Sequence, residues 1–157
     1  MPEITPSLWF DMNAQDAAEF YTKTFPNSKI LDTTYYPEGA PVPAGTVLTV
    51  EFELDGRRFS ALNGGPHFTF TEAVSFVIDC ADQNEVDYYW AALLADGGEE
   101  SQCGWLKDRF GLSWQVVPRR LYELLEDPDR EAASRVSDAL MTMRKIDTAA
   151  LEAAARG

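Results

Sequence analysis

Short apolar runs alternate with two amphipathic helical patterns over most of the chain. Alternation of apolar and polar residues predicts strands, whereas apolar residues recurring every three to four positions predict helices. Proline and glycine clusters mark the turns between them. The predicted strands lie at 7–12, 28–36, 46–54, 57–63, 73–80, 99–102, 104–107 and 113–117, and the predicted helices of this region lie at 14–25 and 84–95.

Local cap and turn signals support these boundaries. Asn13 directly precedes the first predicted helix and is of a residue type that caps helix N-termini. Asp55-Gly56 is a hairpin signal between two predicted strands. Gly97-Gly98 follows the second predicted helix, where glycine commonly ends a helix. Each half of the region therefore reads as a strand, a helix and three further strands.

The two halves also match in sequence when Ser7 is aligned with Ser75. The same alignment places Asp11 on Asp79 and Gln15 on Gln83. A repeated supersecondary unit predicts that two modules pack side by side to bury their apolar faces. We therefore predict an α+β fold in which two βαβββ modules form a curved mixed sheet around a cleft.

The last part of the chain is helical and lies outside the repeat. Its apolar spacing predicts helices at 121–125, 130–143 and 146–156, the last of them capped by Asp147. A chain of 157 residues is of single-domain size. The predicted organisation is one domain, with a first module at 4–63, a connecting loop at 64–72, a second module at 73–118 and a helical tail at 119–157.

The charge balance limits the partners and the location of the chain. Acidic residues number 26 against 13 basic ones, for a net charge of −13. Such a chain is repelled by nucleic acid and by anionic membrane surfaces, so neither is a predicted partner. It contains no signal-peptide pattern and no apolar run long enough to span a membrane, which predicts a cytoplasmic protein.

Three segments resemble a known protein family. They are Leu8–Asp11 with Ala17–Tyr21, Phe59–Phe68, and Gln102–Pro118. With the paired βαβββ plan, they resemble the vicinal oxygen chelate superfamily of glyoxalases, bleomycin-resistance proteins and extradiol dioxygenases. Within it they are similar to the PhnB-like branch, labelled 3-demethylubiquinone-9 3-methyltransferase. The resemblance implies this fold, a ligand site in the cleft and a homodimer.

The resemblance also implies where a metal ion would be held, since many members use one as a Lewis acid. The four ligand positions fall on Pro6 or Ser7, on 61–63, on Ser75 and on Gln115. None of them carries a carboxylate or an imidazole, and the single histidine, His67, excludes a centre with several histidine ligands. We therefore predict neither a metal ion nor another cofactor.

The methyltransferase label receives no support from the residues. A common class of methyltransferases binds its cofactor with a glycine-rich loop after a parallel strand. Here Gly64-Gly65-Pro66 follows a predicted hairpin strand and is soon followed by another strand. A tight connection between the halves is the interpretation that we favour for these residues.

Seven residues are candidates for a ligand site, and each has a structural alternative. Ser75 and Gln115 could hydrogen-bond a ligand or satisfy each other. Trp105 and Phe70 could stack on a flat ligand or belong to the core. The other candidates are Asn63, as a ligand-orienting amide or a strand cap, His67, as an acid–base group or a loop residue, and Cys103, as a nucleophile or an inert thiol.

Cys103 and Cys80 are predicted to be free thiols, because a cytoplasmic protein rarely forms disulfides. Three functions stay open. The first is a metal-free protein that binds a small, flat, apolar molecule between aromatic side chains, a class that includes aromatic ligands. The second is an enzyme of lyase, isomerase or dioxygenase type that uses His67, Cys103 or Gln115 without a metal ion. The third is a non-catalytic, dimeric interaction module.

Overall fold

A computed structural model describes residues 1–157. The chain divides into two compact units, Met1–Phe70 and Thr71–Gly157. Each unit contains a strand, a helix and three further strands, and the second also contains three C-terminal helices. The predicted α+β fold of two βαβββ modules with a helical tail is therefore confirmed.

The first unit is a four-stranded mixed sheet with one helix. Its order is β1-β4-β3-β2; β1 runs parallel to β4, and the other neighbours are antiparallel. Helix α1 packs on β3 and β4, with Tyr21 fully buried and its ring 6.1 Å from that of Phe52. The elements are β1 (Ser7–Phe10), α1 (Ala14–Thr24), β2 (Lys29–Tyr35), β3 (Val47–Leu54) and β4 (Arg57–Asn63).

The second unit repeats this plan. Its sheet order is β5-β8-β7-β6, again with one parallel pair. Ser75 pairs with Ser113 in this unit as Ser7 pairs with Ser60 in the first, so the internal repeat is preserved in the strand register. The elements are β5 (Ser75–Cys80), α2 (Gln83–Leu94), β6 (Glu99–Glu100), β7 (Trp105–Lys107) and β8 (Ser113–Pro118).

The helical tail packs within the second unit. It comprises α3 (Arg119–Leu125), α4 (Arg130–Leu140) and α5 (Thr148–Arg156). The side chain of Gln83 in α2 donates to the Ile146 carbonyl at 2.9 Å and accepts from the Thr148 amide at 2.8 Å. The tail shares a buried apolar cluster with the end of β8, formed by Val117, Leu121, Leu124, Val136, Ile146 and Leu151.

Asn13 does not cap helix α1, contrary to the sequence prediction. Its side chain makes no cap hydrogen bond, and its backbone has φ −119° and ψ 25°. A capping residue ordinarily has an extended backbone, so this conformation does not favour a cap. Asn63, at the end of β4, accepts from the Ala14 amide at 2.8 Å instead. The side-chain cap that the sequence pattern predicted for Asn13 is therefore supplied by Asn63, which is distant in the sequence.

Several predicted elements are shorter than their sequence patterns, and for two of them the local structure shows the reason. The strand predicted at 99–102 ends at Glu100, because a tight turn follows in which Cys103 has φ 58°. The helix predicted at 130–143 ends at Leu140, where the Met143 amide bonds to the Leu140 carbonyl at 3.0 Å and tightens the chain. The predicted cap Asp147 is confirmed by its bond to the Ala150 amide at 3.1 Å.

None of the helices has the length and apolar character that crossing a membrane requires.

Candidate functional site

The second sheet has one side covered by helix α2 and one side that α2 leaves open. Helix α2 contacts β5, β7 and β8, and the buried side chains of Leu106, Trp114 and Val116 alternate with the opposite set. We call that opposite set the open face. By strand register it comprises Ser75 and Val77 of β5, Ser113 and Gln115 of β8, and Trp105 and Lys107 of β7.

Ser75 and Gln115 are brought together on the open face. The Gln115 Nε2 group donates a hydrogen bond of 2.9 Å to Ser75 Oγ, and both residues are half-buried. The pair is uncharged. It leaves the Gln115 Oε1 atom as an acceptor and the Ser75 hydroxyl hydrogen as a donor, so it can present both kinds of hydrogen-bonding group to a small molecule.

Trp105 lies beside this pair, since it is the register partner of Gln115 on the neighbouring strand. Its side chain is half-buried, so part of the indole remains available to a flat apolar group. On the edge strand β5, Val77 is 51% exposed and pairs in register with Gln115. The open face therefore combines an apolar floor with a polar pair.

An ion pair stands next to Trp105. The Lys107 ammonium binds the Glu72 carboxylate just before β5. The hydrogen bond from Lys107 and its charge lower the pKa of the Glu72 carboxyl below its ordinary value. The same hydrogen bond and the charge of Glu72 raise the pKa of Lys107, so both groups are charged at neutral pH.

A pocket of about 220 Å³ adjoins the ion pair in the second unit. It is lined by residues from the segment before β5, from β6 and the position after it, and from β7, together with one residue of β8. They are Glu72, Glu99, Glu100, Ser101, Trp105, Leu106, Lys107 and Ser113. Trp105, Lys107 and Ser113 belong both to this pocket and to the open face, so the two form one continuous site.

The first unit has a larger pocket, of about 390 Å³, near the start of α1. The buried polar residue in its wall is Asn63, which is only 3% exposed. Its Oδ1 atom accepts from the Ala14 amide and its Nδ2 group donates to the Val47 carbonyl at 3.0 Å. The candidate side chain Asn63 therefore holds β4, β3 and α1 together, and its amide is already engaged.

The remaining candidates of the first unit are placed differently. His67 is exposed in the loop after β4. Phe70 is half-buried, and its ring meets that of Phe10 edge-on at 5.4 Å. Phe70 thus contributes to packing, whereas His67 stands on the surface of its own unit.

The two cysteines are free thiols. Cys103 is half-buried, and its Sγ atom lies 3.8 Å from the Met141 sulfur. Cys80 is fully buried; burial, with smaller contributions from Glu85 and Asp79, raises the pKa of its thiol to about 12. A thiol with such a pKa is a poor nucleophile at neutral pH.

The residues at the implied metal positions do not fit a divalent ion. Ser75 and Gln115 offer neutral oxygens and bond to each other, and the Asn63 amide is used within its unit. Ala61 is fully buried in the core. No group of three or more His, Cys, Asp or Glu side chains is arranged to hold a metal ion. Neutral hydroxyl and amide groups alone are a weak set of ligands for such ions.

Comparison with known proteins identifies the family. The family described as 3-demethylubiquinone-9 3-methyltransferase matches residues 2–117. The chain belongs to this PhnB-like family. A PhnB protein from Bacillus cereus is 32% identical, with a TM-score of 0.68, over 74% of this chain and 99% of that one. The resemblance proposed from the sequence is thus confirmed, and the tail lies outside the family match. None of the curated proteins matches the chain.

More distant structures share the fold with this PhnB-like protein. Protein PA1353 from Pseudomonas aeruginosa is 19% identical, with a TM-score of 0.61, over 75% of this chain and 98% of that one. The fosfomycin resistance protein FosX from Listeria monocytogenes is 15% identical, with a TM-score of 0.53, over 80% of this chain and 98% of that one. At these identities the likeness concerns the fold alone.

The glycine pair of this PhnB-like protein has a packing role in the structure. A Cβ atom on Gly64 would lie 2.3 Å from the Trp9 ring, so only glycine fits there. The Gly65 carbonyl accepts from the Trp9 indole at 2.9 Å, and Gly65 has φ 94°. The pair leads through a loop to strand β5. It joins two strands and does not form the junction of strand, glycine-rich loop and helix with which a common class of methyltransferases binds its cofactor.

Several residues of the open face and its pocket were not among the sequence-based candidates, and they include Glu72, Lys107 and Ser113. Glu72 and Lys107 are far apart in the sequence, and no local pattern indicates that they form an ion pair. Ser113 carries a detectable signal, since it lies two positions before Gln115 on the same strand and therefore on the same face.

Proposed function

We propose that this protein binds a small aromatic molecule on the open face of its second sheet, without the help of a metal ion. The hydrogen bond between Gln115 and Ser75 is the observation that carries the proposal. At the two positions of this unit where chelating relatives would hold a metal ion, the chain has a neutral donor–acceptor pair. Such a pair recognises polar groups of a ligand but does not activate them as a Lewis acid would.

Trp105 supplies the apolar part of the site. Since Trp105 and Gln115 are register partners, an aromatic ring over the indole would have its polar substituent within reach of the glutamine amide. A concave site with a few converging polar groups and one aromatic wall is typical of small-molecule sites. The proposal requires no catalytic group, in keeping with the engaged amide of Asn63 and with the sulfur contact of Cys103.

The test is calorimetric titration with neutral aromatic alcohols, beginning with 2-phenylethanol. We expect saturable binding that is unchanged by chelator. Gln115→Ala should raise Kd about tenfold, because one or two hydrogen bonds of about 1 kcal/mol each are lost. Trp105→Ala should weaken binding by a similar factor.

Gln102→Ala is the matched control, because Gln102 is exposed in the turn before β7 and should leave Kd unchanged. Thermal unfolding of each variant verifies that it is folded. The absence of saturable binding across the panel of alcohols, or equal Kd values for Gln115→Ala and the unmodified protein, would contradict the proposal.

A further inference from the structure

The pocket beside the open face has an excess of negative charge. Three carboxylates, of Glu72, Glu99 and Glu100, line it together with one ammonium, of Lys107. Lys107 is bound to Glu72. The pocket therefore favours a positively charged group over a neutral or negative one.

The three carboxylates are not equally engaged. Glu100 accepts from the Trp90 indole at 3.0 Å and lies 3.5 Å from the Arg144 guanidinium. The Glu99 side chain is exposed and accepts no hydrogen bond, and its contact with a cation is limited to the charge of Lys107, its register partner on β7, whose salt bridge is to Glu72. Glu99 is thus the carboxylate that an incoming cation can pair with at the least cost to existing contacts.

A buried hydroxyl in the same wall points to a ligand independently of the charge. Ser113 is 1% exposed, and its Oγ atom has no hydrogen-bond partner in the chain. A buried polar group without a partner destabilises a protein, so such groups are rare unless something else satisfies them. Ser113 pairs in register with Lys107 and shares its side of the sheet, which directs its hydroxyl to the pocket side.

Trp105 completes the arrangement, because an indole beside carboxylates is a favourable environment for an ammonium ion. We infer that the ligand of this site carries a primary ammonium group, which enters the pocket lined by Glu99, Trp105 and Ser113. Ser113 Oγ can accept a hydrogen bond from an N–H group of a primary ammonium, whereas a quaternary ammonium has no N–H group to donate. This inference rests on the proposed function, because the aromatic part of the same ligand lies over Trp105 toward Gln115.

The test compares two probes that differ only in the charged group, phenethylamine and 2-phenylethanol, by calorimetry at neutral pH. We expect phenethylamine to bind at least about tenfold more tightly than the alcohol. Glu99→Gln and Ser113→Ala should each remove most of this preference. Glu126→Gln, an exposed carboxylate outside the pocket, is the matched control and should preserve it.

Ser113→Ala also has an expected effect that does not depend on the ligand. Because it removes a buried hydroxyl without a partner, the melting temperature should stay the same or rise. Weaker binding of the amine by this variant therefore cannot be ascribed to unfolding.

The outcomes separate the inference from the proposed function. If both probes bind equally, and both are weakened by Gln115→Ala, the ammonium inference is wrong while the proposed function stands. A preference for the amine that survives in both Glu99→Gln and Ser113→Ala also overturns the inference. If neither probe binds, the inference is overturned, and the panel of neutral alcohols decides the proposed function separately.

Discussion

At the scale of single residues, a buried carboxylate stabilises the sheet that carries the candidate site. Asp108 is 3% exposed and follows β7 directly. Its Oδ1 atom accepts from the amides of Phe110 and Leu112, and its Oδ2 atom accepts from the Trp114 indole at 2.9 Å. One side chain thus fixes both the turn between β7 and β8 and the orientation of a core tryptophan.

Asp108→Asn should destabilise the second unit by about 1–3 kcal/mol, measured by chemical denaturation. The substituted amide can still accept from the backbone through its oxygen, but its NH₂ group would face the Trp114 indole, which is also a donor. The cost should therefore shrink in a Trp114→Phe background. An equal cost in both backgrounds would show that the indole bond does not hold this turn.

The residue scale also shows which contacts of the candidate site could be predicted from the sequence. Gln115 and Ser75 could be paired from the strand alternation and the family resemblance together. The neighbouring Glu72–Lys107 ion pair depends on the path of the segment before β5, which brings Glu72 to Lys107 of β7. No periodicity in the sequence encodes that path.

At the scale of elements, the boundaries predicted best are those fixed by local chemistry. The hairpin at Asp55-Gly56 and the cap at Asp147 depend on neighbouring residues only. The start of α1 is different, because Asn63 caps it across the first unit. Long-range hydrogen bonds of this kind are decided by the tertiary fold, which overrides local preference.

The tail is the element whose packing the sequence left open, and the structure attaches it to the second unit through Ile146. This side chain is fully buried. Its packing is tight, since a Cβ atom on Gly104 would lie 2.7 Å from Ile146 Cδ1. The backbone amide of Gly104 also donates to the Arg144 carbonyl at 2.7 Å. This hydrogen bond joins the turn before β7 to the segment before α5.

Ile146→Ala should destabilise the second unit by about 2–5 kcal/mol, because it empties space in a closely packed cluster. Hydrogen exchange should show lower protection in β7 and β8 as well as in α3–α5. Val74→Ala is the control, since Val74 is 63% exposed and its loss should change stability by about 0.5 kcal/mol or less. Loss of protection confined to the tail would contradict its assignment to the second unit.

At the scale of the whole molecule, the net charge of −13 and the carboxylates of the pocket both favour cationic ligands. An acidic surface raises the local concentration of small cations around the protein and disfavours anionic partners. The predicted homodimer and cytoplasmic location stay predictions. The fold, by contrast, was accessible from the sequence, because the internal repeat and the family segments cover both modules.

The central claim, that the open face of the second sheet binds a small aromatic molecule without a metal ion, is tested most directly by native mass spectrometry. Untagged protein is purified without chelator, and spectra are recorded with and without 2-phenylethanol. We predict no stoichiometric divalent ion, one probe molecule per chain, and loss of the bound probe in Gln115→Ala. One divalent ion per chain, with probe binding that disappears when a chelator removes the ion, would contradict the claim.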